Sequence, residues 1–176
     1  PNLETERIMG KPGQGFESLY RYQGNLFNGI IEDDDMGLYE NGDIKYRIFK
    51  DGHHIKDERY LKGELVYECN LTLIEEHPFV KRIIRSRDGI EREWYDNGQL
   101  KYENTFSKSF LNGECKEWYD NGQLKYQGIK KGIIKTGDHD VKEMTTIYNG
   151  ECNRWREDGK LFRKEIWEDW RKISEI

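Results

Sequence analysis

The stretch that decides the fold reads GECKEWYDNGQLKYQ and runs from Gly113 to Gln127. Within it, residues 117–126 repeat letter for letter residues 93–102. Each copy places Asp-Asn-Gly between two short aromatic-rich runs. Glycine supplies the positive φ of a tight turn and aromatic residues suit a pleated strand, so each copy predicts a β-hairpin.

The same turn context recurs along the chain. A glycine, usually with an aromatic residue three positions earlier and with an aliphatic residue two positions later, occurs at Gly42, Gly63, Gly98, Gly122 and Gly159. The spacings of 21, 35, 24 and 37 residues indicate a period of about two dozen residues, interrupted by insertions near 71–87 and 135–146. We therefore expect an elongated, single-sheet antiparallel β-meander with these glycines along one edge.

Turn chemistry predicts a register. A two-residue type I′ turn needs positive φ at both central positions, which Lys62 tolerates poorly, so a three-residue loop with a G1 bulge is favoured. That loop places Trp118 opposite Leu124, Glu117 opposite Lys125 and Lys116 opposite Tyr126. The shared offsets also predict that the tryptophans and leucines stack along one face as the packing spine; they are Trp94, Trp118, Trp155, Leu100, Leu124 and Leu161.

Composition favours an all-β chain. The 176 residues include no alanine but 11 tyrosines, 7 phenylalanines and 5 tryptophans, so the best helix former is absent and strand formers are plentiful. We expect one domain over residues 1–176, with a loose lead-in over 1–15 and hairpin repeats over 16–165. The apolar spacing over 166–176 predicts a short C-terminal helix that caps the last strand; its apolar residues are Ile166, Trp167, Trp170, Ile173 and Ile176.

Charge and motifs exclude several function classes. The 29 basic and 34 acidic residues give a net charge of −5, so neither a nucleic-acid nor a membrane partner is expected. The four histidines lack metal-ligand spacing, and the glycines fall one per turn rather than in a phosphate-binding loop. The polar run Asp138-His139-Asp140 is typical of a loop. The sequence therefore predicts no enzyme, no cofactor and no metal.

The cysteines bear on location. Cys115 and Cys152 occupy equivalent places in successive units, each after Asn-Gly-Glu, and equivalent strands of a meander lie too far apart for a disulfide. Cys69 leaves an odd count. Reduced thiols and a cytoplasmic location are expected.

The run Glu-Trp-Tyr-Asp-Asn-Gly-Gln-Leu-Lys-Tyr at 93–102 and 117–126 resembles the MORN-variant repeat. In that repeat, hairpin after hairpin extends one antiparallel sheet. Bacterial chains built of this variant include the YwqK-type toxin–antitoxin system antitoxin family, so the resemblance implies a protein-binding antitoxin. MORN repeats are also linked to lipid binding and dimerisation.

Two hypotheses for function follow, and both are binding roles. In the first, the chain is an antitoxin or immunity protein that neutralises a partner toxin or effector by direct binding. Its predicted contact residues are a tyrosine row and an acidic cluster: Tyr39, Tyr60, Tyr95, Tyr119, Asp33, Asp34 and Asp35. The alternative is a MORN-type scaffold or membrane-associated module. The tyrosines are expected to project from the face of the sheet opposite to the tryptophans. This tyrosine row is either a recognition surface or a second packed face of the sheet.

Overall fold

The computed structural model describes residues 4–9, 16–23, 25–26, 28–32, 43–74, 84–136, 142–168 and 171–175. Every regular element in these ranges is a β-strand, and the strands pair antiparallel. The expected all-β fold of repeated hairpins is confirmed. The chain divides into two compact units, Pro1–Asp88 and Gly89–Ile176.

The first unit contains two sets of strands. A three-stranded sheet consists of β1 (Glu4–Met9), β2 (Phe16–Tyr22) and β3 (Asn25–Leu26). Four further strands pair in chain order: β4 (Gly29–Glu32), β5 (Asp43–Lys50), β6 (His53–Leu61) and β7 (Glu64–Ile74). The lead-in that was expected to be loose thus contains β1, which pairs along its whole length with β2 because Thr5 and Ile8 are good strand formers.

The second unit is a meander in which each strand pairs with the next. Its strands are β8 (Ile84–Trp94, which contains the boundary between the units), β9 (Leu100–Ser107), β10 (Phe110–Trp118), β11 (Leu124–Thr136), β12 (Lys142–Trp155), β13 (Leu161–Glu168) and β14 (Arg171–Glu175). The insertion near 135–146 lengthens the β11–β12 hairpin, which stays in register to Thr136 and Lys142.

Two kinds of turn connect the strands. At Gly98, Gly122 and Gly159 the loop has three residues, and the glycine has a φ of 80–82°. In the first of these, the Gly98 N–H donates to the Tyr95 carbonyl at 2.9 Å and the Tyr95 N–H donates to the Gln99 carbonyl at 2.8 Å. The predicted type I turn with a G1 bulge is confirmed for this set.

The expectation for the Gly63 turn is wrong. Leu61 pairs directly with Glu64, and both Lys62 (φ 51°) and Gly63 (φ 87°) have positive φ, as a type I′ turn requires. The direct pairing of Leu61 with Glu64 at the ends of β6 and β7 imposes this conformation on lysine despite its steric cost. Gly42 lies outside the described residues.

The predicted register holds at the turn and shifts one residue beyond it. Trp118 pairs with Leu124, as predicted, but Glu117 then pairs with Tyr126 rather than with Lys125. A bulge between Glu117 and Trp118 leaves Lys125 as the extra residue, and the same irregularity recurs in the β8–β9 and β12–β13 hairpins. Lys125 still reaches Glu117 diagonally, at 3.6 Å.

The prediction of a C-terminal helix is wrong. Arg171–Glu175 is strand β14, which pairs with β13 and gives residue pairs such as Ile166–Ser174. The spacing of apolar residues suits a helix, yet β-branched isoleucines also suit a strand, and the preceding hairpin offers β14 a ladder of backbone partners. Trp170 and Ile176 lie outside the described residues.

The packed centre of the second unit is not the tryptophan spine. Trp94, Trp118 and Trp155 are half-buried, and Leu161 is 51% exposed. The fully buried cluster consists of Cys115, Tyr126 and Cys152, which pack with Leu111, Tyr148 and Trp167. Gly128 stands between the two cysteines in the strand register, and the Tyr126 ring lies over the space that a side chain would need there.

Candidate functional site

The turns of the second unit are joined by a repeated set of hydrogen bonds, which we call the turn ladder. The Tyr95 hydroxyl donates to the Trp118 carbonyl at 2.9 Å, and Asn97 Nδ2 donates to the Asp120 carbonyl at 2.6 Å. One hairpin later, the Tyr119 hydroxyl and Asn121 Nδ2 donate in the same way to the carbonyls of Trp155 and Glu157. The ladder couples each hairpin to the next at a fixed spacing.

Asparagine has a second role within each turn. Asn97 Oδ1 accepts from the Gln99 N–H at 3.0 Å, and Asn121 Oδ1 accepts from the Gln123 N–H at 2.9 Å. The side chain thus stabilises its own turn while its amide donates to the next. The Asp-Asn-Gly run, which was read only as a hairpin turn, therefore also joins neighbouring repeats.

The predicted tyrosine row is only partly within the described chain. Tyr95 and Tyr119 are half-buried, and Lys101 and Lys125 lie over their rings at 5.8 Å. Tyr60 belongs to the first unit, where it donates to Glu58 and packs edge-on against Tyr46. Tyr39 and the acidic cluster Asp33, Asp34 and Asp35 lie outside the described residues.

The sheet of the second unit has two faces of different character. The tryptophan face carries Trp94, Trp118 and Trp155 together with ion pairs such as Arg92–Glu103 at 2.7 Å and Lys164–Glu151 at 2.7 Å. Lys116 and Gln127 both contact Glu114 on this face and hold the pKa of its carboxyl below the usual value. The opposite tyrosine face carries Tyr95, Tyr119 and the buried cluster around Tyr126.

Two cations flank the ring of Tyr126 on the tyrosine face. Lys130 Nζ and the Arg154 guanidinium each lie 5.0 Å from the ring centroid. Arg154 Nη2 also donates to the Tyr148 hydroxyl at 3.4 Å, and Tyr148 packs against Trp167 with 5.2 Å between ring centroids. We call Tyr126, Lys130, Tyr148, Arg154 and Trp167 the cation–aromatic cluster.

Burial controls the titration of the groups in this region. Tyr126 is 2% exposed, and this burial raises the pKa of its phenol well above the usual value, with the neighbouring Cys152 adding to the effect. Burial likewise raises the pKa of Cys115 and Cys152. Their thiols are therefore protonated and unreactive at neutral pH.

The described residues contain neither a group of three His, Cys, Asp or Glu side chains arranged for a metal ion nor a helix with the length and apolarity of a membrane span. The three cysteines are free and buried.

Two segments of the chain match the model of a known repeat family. Residues 87–108 and 111–129 match the MORN repeat variant. The first segment covers most of β8 and all of β9, and the second covers most of β10 and the first half of β11. Together they include the ladder turns at Gly98 and Gly122. MORN repeats are generally protein- or lipid-interaction modules. No curated protein and no solved structure is significantly similar to the chain.

Sequence reasoning missed the cation–aromatic cluster. Its five residues lie on three strands, from Tyr126 to Trp167, and no motif joins them. One signal was present, because Arg154 and Arg163 stand where the two identical repeats carry glutamate and tyrosine. The structure pairs these two arginines directly across β12 and β13, which is unfavourable unless other groups contact them.

Proposed function

We propose that the protein is a protein-binding module that acts in the cytoplasm as an antitoxin or immunity protein, neutralising a partner toxin by direct contact. The observation that supports this most is the turn ladder, which holds successive hairpins at one spacing. A partner then meets preformed rows of large side chains, and little conformational entropy is lost on binding. The free thiols fit a reducing compartment.

The contact surface that we propose is the tyrosine row with the acidic cluster. In Tyr95 and Tyr119 the hydroxyl is used within the sheet, but part of each ring stays exposed for contact. Tyrosine offers a broad contact area at low entropic cost. Tyr60, Tyr39 and Asp33, Asp34 and Asp35 complete the proposed set.

The test is affinity capture from the native host with the full chain, followed by identification of the captured protein. We expect that protein to inhibit growth when it is expressed alone, and we expect co-expression of this chain to relieve the inhibition. Capture of a harmless protein would contradict the antitoxin role and leave protein binding standing. If no protein is captured, and anionic lipid vesicles bind instead, the proposal is wrong.

The tyrosine row is tested with two kinds of variant. Tyr95→Phe/Tyr119→Phe removes the two tyrosine bonds of the ladder and keeps the rings, whereas Tyr95→Ala/Tyr119→Ala removes both the bonds and the rings. A recognition surface predicts that the Phe variant retains capture and that the Ala variant loses it while still folded. Equal capture by the Ala variant would overturn the assignment of this row.

A further inference from the structure

We propose that the cation–aromatic cluster is a carboxylate-binding site that takes an acidic side chain of the partner polypeptide. This inference rests on the proposed protein-binding function and names the chemistry that one part of the tyrosine face recognises. Apart from Tyr126, the residues of the cluster lie outside the matched repeats, and none of the five belongs to the tyrosine row.

The cluster carries two positive charges, on Lys130 and Arg154. Lys130 and Arg154 are only partly exposed, and neither has a carboxylate partner within the described part of the chain. Neighbouring cations in the same unit are compensated: Lys101 with Glu93, Arg163 with Glu175 and Lys164 with Glu151. Two partly desolvated cations against one aromatic ring are costly unless an anion joins them.

The carboxylates that neighbour the cluster in the strand register already have other cationic partners. Glu117 pairs with Tyr126 across the strands, but its carboxylate lies 3.6 Å from Lys125. Glu165 is buried beside Cys152, where Lys172 lies 3.7 Å and Arg163 4.0 Å from its carboxylate. Neither carboxylate forms an ion pair with Lys130 or Arg154.

The cluster contains buried hydrogen-bond donors that lack acceptors. Arg154 Nε and Trp167 Nε1 are buried donors with no acceptor among the described residues. Among the described residues, the Arg154 side chain makes one hydrogen bond, from Nη2 to the Tyr148 hydroxyl. Because buried donors are nearly always satisfied, a donor-rich cluster favours a ligand that only accepts, as an ionised carboxylate does.

The geometry also suits a side-chain carboxylate. Both cations are held against the Tyr126 ring, so little side-chain entropy remains to be lost when an anion binds. An arginine guanidinium forms short, charge-assisted bonds with a carboxylate. The half-buried rings of Tyr148 and Trp167 offer apolar contact beside it. The net charge of −5 disfavours long polyanions and favours a single acidic group on a short segment.

The experiment measures fluorescence anisotropy of a labelled hexaglutamate peptide titrated with the full chain at low ionic strength. We expect saturable binding that weakens as salt is added. Lys130→Gln/Arg154→Gln should weaken it at least tenfold while retaining the wild-type melting temperature within a few degrees. The matched control is Lys131→Gln/Arg156→Gln, which changes net charge equally through exposed residues next to the cluster and should bind as the wild type does.

The outcomes separate this site from the proposed function. Undetectable hexaglutamate binding, or equal weakening by the two double variants, overturns the carboxylate site. If Lys130→Gln/Arg154→Gln weakens binding of a thymidine oligonucleotide or of anionic vesicles but not of hexaglutamate, the assigned ligand class is wrong. Should that double variant still capture the host partner undiminished, the site is wrong while the protein-binding function stands. Failure of host capture alongside specific hexaglutamate binding contradicts the function and leaves the site.

Discussion

Gly128 shows at the scale of one residue how the buried cluster is packed. A Cβ at this position would lie 2.4 Å from the Tyr126 hydroxyl oxygen and 2.9 Å from Cys152 Sγ. Because Tyr126 is almost fully buried, its ring has little room to move away. We expect Gly128→Ala to lower the free energy of unfolding by about 1–3 kcal/mol, measured by urea denaturation.

The double variant Gly128→Ala/Tyr126→Phe isolates this contact. Removing the hydroxyl relieves the shortest clash. The stability losses of Gly128→Ala and Tyr126→Phe as single variants should therefore sum to more than the loss of the double variant. Strict additivity would show that the Tyr126 hydroxyl is not what excludes a side chain at position 128.

The raised pKa values of the same cluster predict alkaline destabilisation. In the unfolded chain the thiols ionise near pH 9 and the phenol near pH 10, while in the folded protein Cys115, Cys152 and Tyr126 remain neutral to higher pH. The folded state then binds more protons than the unfolded state, so stability is full below about pH 8.5 and falls above it. The limiting slope is about 1.4 kcal/mol per pH unit for each such group.

Urea midpoints measured from pH 8 to pH 11 check this pH dependence. Tyr126→Phe should have a shallower decline above pH 10 than the wild type, because one of the linked groups is gone. Identical slopes in the two proteins would contradict the assignment of that decline to Tyr126.

At the scale of the hairpin, the turn ladder joins each turn to the next by side-chain hydrogen bonds. Each of Tyr95 and Tyr119 donates one hydrogen bond to the carbonyl of the next hairpin's tryptophan. We expect Tyr95→Phe and Tyr119→Phe each to lower the free energy of unfolding by about 0.5–1.5 kcal/mol, because a carbonyl loses its partner while the ring remains. Thermal and urea unfolding of the single variants provides the measurement.

The third turn offers the control for the ladder. Arg156 occupies the equivalent position but is exposed and makes no ladder bond within the described residues. Arg156→Ala should therefore change stability by less than about 0.5 kcal/mol. A loss as large as that of Tyr119→Phe would mean that the position matters for a reason other than the ladder.

At the scale of the whole second unit, burial is uneven along the meander. Strands β10, β11 and β12 surround the fully buried cluster, whereas every residue of β14 is exposed. We expect native-state hydrogen exchange to be slowest for amides of Cys115, Tyr126 and Cys152 and fastest among the strands for β14. Protection of β14 equal to that of β11 would contradict this gradient.

The repeat itself determined the all-β class, the hairpins and the three-residue turns at Gly98, Gly122 and Gly159. These features depend on interactions within one hairpin: positive φ at glycine, an Asn side chain that stabilises its own turn, and strand-forming aromatic flanks. Local physics was sufficient there, because the two copies over 93–102 and 117–126 carry the same residues and form the same turn.

Only the tertiary structure decided what depends on partners distant in sequence. Neighbouring strands fixed positive φ at Lys62, and pairing with β13 made a strand of residues that have helical spacing. The buried centre fell on Cys115, Tyr126 and Cys152 rather than on the tryptophans, because the β10–β11–β12 register brings the cysteines to either side of Gly128. The same register placed Lys130 and Arg154 on one tyrosine ring, since cross-strand neighbours follow from pairing and not from spacing in the chain.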